Sequence, residues 1–455
     1  MDSDVEVLRL AADRAIEFAA TIDARPTAPT EDAVAALDAF DEPLPDIGFD
    51  TVDTIERLAT FGGPAAMGTT GPNYFGFVNG ATLPAALGAA ILTNVWDQNA
   101  ALPVMSPIAA KLHAVTRSWL IDLFGLTPTT DVVYVTGATV ANASCLAAAR
   151  DALLAEHGWD APARGLFGAP PVRVVVGAQS HSTLRKSLGV VGLGSERVIT
   201  VPADDQGRLR AEQLPDLDPS DGPILVCAQA GEVNTGAFDP FETIADWAAQ
   251  RDAWVHVDGA FGLWALADPT RAELVAGLTR ADSLATDGHK WLNVTYDCGI
   301  AFVQRERALR RTFAAVADYL PPDDRFEAMH HTPQSSQRAR QIEVWAALRS
   351  LGRDGVATMV QRACDCAAAI ARRLAEVEGF DVLNQVDLNQ VLIRYRDGST
   401  TARLVAAIQR DGRIWCGPTQ WRGDTAMRVS ISSWKTTVTD AALAVDVIVE
   451  CAASC

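Results

Sequence analysis

"DVVYVTGATVANASCLAAARDALLAEHG", residues 131–158, decides the fold class. Val132, Val133, Tyr134 and Val135 form an unbroken apolar, mostly β-branched run, which reads as a buried strand rather than a half-exposed one. Gly137 turns the chain. From about Thr139 onward Ala and Leu recur with no proline, which predicts a helix. A buried strand that turns straight into a helix is the repeating unit of an α/β sheet.

The unit recurs on both sides. Upstream, "SPIAAKLHAVTRSWLIDLFGL" has helical period, with Ser106 as cap and Pro107 in the first turn. Downstream, "PVRVVVGAQ" reads as a strand, "HSTLRKSLGVVG" as a helix and "RVITVPA" as a strand. "PILVCAQAG" and "AWVHVDGAF" are further strands around the helix "FETIADWAAQR", and "ADSLATDGHK" and "CGIAFVQ" close the series. Alternation of this kind implies right-handed crossovers and a mainly parallel, seven-stranded sheet. Residues 61–315 are assigned to this large α/β domain. Its first forty residues are rich in Gly and Ala, which predicts close backbone packing. Residues 316–455 predict a smaller α+β domain: a polar loop, a long helix broken near Gly352, then strands in "FDVLNQVDLNQVLIRYR" and "MRVSISSW" around the helix "TARLVAAIQRDG". Residues 1–60 read as an amphipathic helix followed by an extended, Pro- and acid-rich arm that wraps another surface.

Lys+Arg 38 against Asp+Glu 57 gives 38 − 57 = −19. A surface so acidic repels nucleic-acid phosphates and anionic lipid, so neither is expected as a partner. Asp2 and Asp4 stand where a signal peptide needs positive charge, and no apolar run approaches the roughly 20 residues that span a bilayer. A soluble, cytoplasmic protein is expected. The eight cysteines are scattered with no CxxC pair, which predicts buried thiols and no metal site.

Chemistry is concentrated in three places around one lysine. In "ADSLATDGHKWLNVTYDCGIAFV", residues 281–303, Lys290 is the one lysine among small and apolar neighbours. A desolvated amine is costly to bury, and Schiff-base formation with an aldehyde is a reason to do so. Alone, Lys290 reads more simply as a surface residue. Asp258, in "HVDGAFG", ends a buried strand and can pair with a pyridinium nitrogen, since an adjacent anion favours the protonated ring; alone it reads equally as a turn cap. In "VTGATVANAS", Gly137, Ala138 and Thr139 open a helix N-terminus, which suits phosphate; alone they are an ordinary βα turn. His181, in "GAQSHSTLRKS", is placed to stack on an aromatic ring or to cap the helix it precedes. The GxGxxG spacing is absent, and "GVVGLG" at 189–194 does not follow a strand, so a nicotinamide cofactor is not expected. An aldehyde, a phosphate, a ring nitrogen and a stackable face together describe pyridoxal 5′-phosphate (PLP).

On these motifs the chain resembles, over roughly residues 60–455, the group II PLP-dependent amino acid decarboxylases, relatives of the aromatic amino acid and glutamate decarboxylases. "DGHKWLNVTYDC" is similar to the family's Asn-Pro-His-Lys-Trp signature. The resemblance implies PLP fold type I, with a small-molecule amino acid as substrate and a homodimer with active sites at the subunit interface. It implies Lys290 as the Schiff-base lysine, His289 as a phosphate contact, and Asp258 and Ala260 at and beneath the ring. It further implies His181 as the stacking residue and Ala138 and Thr139 as the phosphate loop. Phe77, Val78 and Asn79 would line the side-chain pocket, with Trp96, Gln98 and Asn99 reaching in from the partner subunit.

The departures shape the expected reaction. Asp287 and Gly288 replace the usual Asn-Pro, and an acid there must turn away from a phosphate. Glu232 stands in "AGEVNTGAFDP" where relatives usually carry Thr or Asn, with Asn234 and Thr235 taking over the polar contact. The tyrosine that returns a proton to the α-carbon in aromatic amino acid decarboxylases is missing. Ala328 stands at about its place and Tyr319 lies too early, which nominates His330 or His331 as the acid. The expected activity is decarboxylation of an aromatic or apolar L-amino acid to its amine and carbon dioxide. The alternatives are an aldehyde synthase or a carbon–carbon lyase on the same scaffold, and, from another class, a non-catalytic scaffold dimer.

Overall fold

The structure is a computed structural model and describes residues 2–315 and 325–455. Seven strands form the large sheet: β1 (Asp131–Val135), β2 (Arg173–Gly177), β3 (Val198–Val201), β4 (Ile224–Gln229), β5 (Trp254–Asp258), β6 (Ser283–Asp287) and β7 (Gly299–Val303). Their order is β1-β7-β6-β5-β4-β2-β3. β7 runs antiparallel to both β1 and β6, and the other neighbours are parallel. Every residue of β4 to β7 is buried, as expected of a sheet covered on both faces. The expected mainly parallel seven-stranded sheet is present.

The strand–turn–helix unit read at 131–158 is β1 followed by the helix Ala138–Glu156, which packs on β5, β6 and β7. Ser106 caps the helix Pro107–Phe124 by accepting the Ala109 N–H, with Pro107 in its first turn, and Gly125 ends it in the left-handed region. The helix Gln341–Ala375 is interrupted at Gly352, whose φ is 64°. It packs on the helices Pro84–Trp96 and Pro107–Phe124 on one side and on the small domain on the other. That small domain is a four-stranded antiparallel sheet, β8 (Phe380–Val382), β9 (Gln390–Tyr395), β10 (Gly417–Trp421) and β11 (Asp424–Ser430), ordered β10-β11-β9-β8.

One local expectation is corrected. The arm is not extended over residues 51–60. They lie in the helix Thr51–Ala65, capped by Asp50, which packs against Asp2–Thr21 with Arg14 Nε donating to Glu56 Oε2 at 3.0 Å. β10, which opens Gly-Pro, was not among the expected strands; pairing with β11 makes it one. Among the described residues no helix is long and apolar enough to cross a membrane.

Candidate active site

The parallel strands β4 and β5 and the neighbouring β6 end at a cavity of about 250 Å³, the position at which open α/β sheets bind ligands. Eight of the residues singled out in the sequence line it together: Gly137, Ala138, Thr139, His181, Asp258, Ala260, His289 and Lys290.

The helix Ala138–Glu156 starts at this cavity, with Gly137, which has no side chain of its own to cap it, as its N-cap. A Cβ at 137 would stand 3.4 Å from His289 Cε1 and 3.5 Å from Asp287 Oδ1, so glycine keeps room open at the helix start. Asp258 closes β5 and is 4% exposed. Its Oδ1 accepts the Ala260 N–H at 3.2 Å. Burial pushes its pKa up, and the charges of His181 and Lys290 oppose that. His181 is both things the sequence allowed. It caps the helix Ser182–Val190 by accepting the Thr183 N–H, and its ring lines the cavity. Its Nδ1 lies 2.6 Å from Thr183 Oγ1 and 3.3 Å from Thr183 N. Accepting there places the ring proton on Nε2. Burial lowers the pKa of His181, which favours the neutral imidazole.

Lys290 follows β6 after a short turn, and its Nζ lies 3.2 Å from Asp287 Oδ2. The backbone at Gly80 packs tightly on it: a Cβ there would come within 1.9 Å of Lys290 O, so only glycine fits. Asp287 does not turn away as its charge predicts. Its Oδ1 accepts the Ala138 N–H at 2.5 Å and lies 3.5 Å from His289 Nε2. It thus holds a helix N-terminal donor that suits a phosphate oxygen. His289 Nδ1 accepts the Cys298 N–H at 3.1 Å, and its ring stacks on Tyr296 at 4.2 Å.

Other expected residues stand elsewhere. Asn234 is absorbed by its own loop. Glu232 is buried and accepts from Asn234 N and Thr235 N at 2.7 Å each, while Asn234 Oδ1 accepts from Thr419 Oγ1. Val233 lines the cavity in its place. Val78 is buried in the core, and Phe77, 63% exposed, packs on Trp415 at 5.1 Å. Asn79 Oδ1 accepts from Tyr296 Oη at 2.9 Å. Phe77 and Val78 have φ of 52° and 56°, an unfavourable region for side chains that is met at functional sites. Trp96 ends the helix Pro84–Trp96 on the open surface. His330 is buried and does not line the cavity; Nε2 lies 3.3 Å from Glu327 Oε2 and Nδ1 accepts the Ala315 N–H. Tyr319 lies outside the described residues.

Sequence reading missed Arg428. It sits on β11, half-buried, and its Nη1 donates to Val233 O at 3.0 Å. Burial lowers its pKa and Glu232 opposes that, yet no carboxylate forms an ion pair with it among the described residues. Its signal was a lone cation in the otherwise small and apolar "MRVSISSW".

One amine, a carboxylate at a strand end, a neutral imidazole and a helix N-terminus share this cavity. That donor set fits PLP: Lys290 for the aldehyde, Asp258 for the ring nitrogen, His181 for a ring face, and Gly137 to Thr139 with His289 for the phosphate.

Comparison with known proteins agrees. The family model of the pyridoxal-dependent decarboxylase conserved domain matches residues 53–396. L-2,4-diaminobutyrate decarboxylase of Rhizobium meliloti is 30% identical over 367 residues, 78% of this chain and 71% of that protein. Acidic amino acid decarboxylase GADL1 of Bos taurus is 28% identical over 322 residues, 68% of this chain and 61% of that longer protein. Among solved structures, Oryza sativa TDC with PLP and tryptamine superposes with a TM-score of 0.91 at 20% identity, over 100% of this chain and 98% of that one. The last likeness speaks for the fold. The chain belongs to the pyridoxal-dependent decarboxylase family.

Proposed function

We propose that this chain decarboxylates an aromatic or apolar L-amino acid with PLP held by Lys290 and Asp258. The observation that carries the reading is the convergence of Lys290, Asp258, His181 and the Ala138 helix start on one cavity. When bound, PLP supplies the electron sink into which the bond to carbon dioxide breaks. The chain's residues do the rest. Lys290 Nζ would be the nucleophilic amine that holds the cofactor's aldehyde. Asp258 holds a proton on the ring nitrogen, because a buried anion favours the charged partner beside it. His181 would hold one face of the ring. Arg428, whose guanidinium has among the described residues only a backbone carbonyl as its hydrogen-bond partner, orients the substrate α-carboxylate as a forked donor. With His330 committed to Glu327 and Ala315, Lys290 Nζ is the group of this cavity suited to return the proton to the α-carbon.

The aromatic preference rests on Tyr296, exposed and stacked on the cavity residue His289 at 4.2 Å, and on the stack of Tyr74 on Trp415 at 5.0 Å with Phe77 against it. The protein is further proposed to work as a homodimer. Leu87, Ile91, Leu92, Val95 and Trp96 present an exposed apolar face along one helix, larger than the scattered apolar residues of a monomer surface. Cofactor-loaded protein should release carbon dioxide from an aromatic amino acid faster than from glutamate or diaminobutyrate and yield the amine. Aldehyde and ammonia as the main products point instead to the synthase. Lys290→Ala should abolish turnover by at least 10³-fold with the fold intact by circular dichroism; near-normal turnover in that variant removes the assignment of Lys290.

A further inference from the structure

Behind Asp258 runs a line of polar groups that the reaction above leaves unused. Trp254 and His256 lie on β5, Ser283 on β6 and Asn142 on the helix Ala138–Glu156, and all four are fully buried. Trp254 Nε1 donates to Ser283 Oγ at 2.8 Å. Ser283 Oγ lies 3.0 Å from His256 Nδ1, and His256 Nε2 lies 2.9 Å from Asn142 Oδ1. His256 and Asp258 stand two apart on β5 and so share the face on which the helix Ala138–Glu156 packs, which brings Asn142 near both; Asn142 Nδ2 is buried with no hydrogen-bond partner, and Asn142 favours the Asp258 anion.

The Asp258 end fixes the direction of this chain. An indole N–H only donates, but Ser283 Oγ has a second lone pair, so Trp254 alone leaves the order open. A carboxylate anion only accepts: facing it, Asn142 presents Nδ2–H, which leaves Asn142 Oδ1 to accept His256 Nε2–H and His256 Nδ1 to accept Ser283 O–H. The reverse direction would turn the amide oxygen of Asn142 toward a buried carboxylate, two acceptors face to face with no water to separate them, which is costly. His256 serves as a neutral link in this scheme, since burial lowers its pKa to about 3.

We infer that Asn142, His256, Ser283 and Trp254 form a one-directional hydrogen-bond relay that keeps Asp258 ionised and so keeps the cofactor's ring nitrogen protonated. They are positioning residues: they act through Asp258 and do not line the cavity. The inference rests on the reading of Asp258 as the ring-nitrogen partner. Within that pair a proton can sit on the ring or on the carboxyl, and a donor behind the carboxylate favours the ring.

The test is the nitrogen resonance of ring-15N-labelled PLP bound to the purified protein, read at one pH in parent and variants. Asn142→Leu should move it toward the unprotonated position and raise the PLP dissociation constant roughly tenfold, the weight of a hydrogen bond to a charged group. Ser283→Ala and Trp254→Phe should move it the same way by less, and they decide the matter if Asn142→Leu does not fold. An unmoved resonance in the folded variants overturns the relay. Asp258→Asn separates the two readings: if it too leaves the resonance in place, the assignment of Asp258 is wrong; if it alone moves it, only the relay is.

Discussion

Asp287 Oδ1 takes the Ala138 N–H at 2.5 Å while Oδ2 stands 3.2 Å from Lys290 Nζ. A phosphate needs that same N–H, and two like charges about 4 Å apart repel by roughly 4 kcal/mol at an effective dielectric near 20. The carboxylate therefore competes with the cofactor for the start of the helix. Asp287→Asn keeps the shape, removes the charge and offers an N–H to a phosphate oxygen. It should tighten PLP binding about tenfold in a fluorescence titration, equivalent to about 1.4 kcal/mol, and make the cofactor-free protein less stable to heat. Weaker PLP binding in that variant would show instead that the charge is needed, with its contact to Lys290 as the reason. At this scale the sequence was legible where chemistry is local. Lys290, Asp258, His181 and the 137–139 turn each sit at the junction of two elements, so one pattern placed them. Arg428 was not legible, because β11 meets Val233 only after the small domain has packed on the large one. Nor was Asp287: its charge predicted retreat, whereas the helix N-terminus and the lysine attract it.

Elements repeat the distinction. The buried strands and the helices at Ser106 and Ala138 follow from period and caps, which are properties of a dozen neighbouring residues. The helix Thr51–Ala65 was missed because its Gly62, Gly63 and Pro64 argue against it locally, and packing on Asp2–Thr21 overrides them. The segment after residue 325 is held by contacts no local pattern announces. Phe326 lies between His113 at 4.0 Å and His331 at 4.2 Å, and His113 Nε2 meets Val132 O of β1 at 2.8 Å. Burial lowers the pKa of both histidines to about 4 from an ordinary 6.5. The unfolded segment therefore binds protons that the packed one does not, so the stability these rings contribute is complete above pH 6.5 and is lost as pH falls toward 4. Amide exchange, corrected for its intrinsic pH dependence, should show residues 325–332 and the start of β1 opening over that window before the rest of the sheet. His113→Phe should remove much of the effect; opening that does not change with pH in the parent would show that the stack does not anchor this segment.

For the whole molecule, the net charge of −19 and the apolar face of the helix Pro84–Trp96 oppose one another. Ile91 and Val95 are more than half exposed and lie one turn apart with Leu87, and Val104 and Met105 beyond the helix are exposed as well. Burying such a face on a second copy is favoured by roughly 25 cal/mol for each Å² of apolar surface removed from water, while bringing two chains of charge −19 together is disfavoured by their mutual field. That field decays over about 30 Å at 0.01 M salt and about 8 Å at 0.15 M. Added salt therefore weakens the repulsion and leaves the apolar attraction nearly unchanged. Sedimentation should give a dimer whose dissociation constant falls as salt rises from 0.01 to 0.15 M, opposite to an interface held by ion pairs. Ile91→Asp combined with Val95→Asp should yield monomers whose sheet is intact by circular dichroism. A dimer that loosens with salt, or one that survives both aspartates, would place the contact on another face.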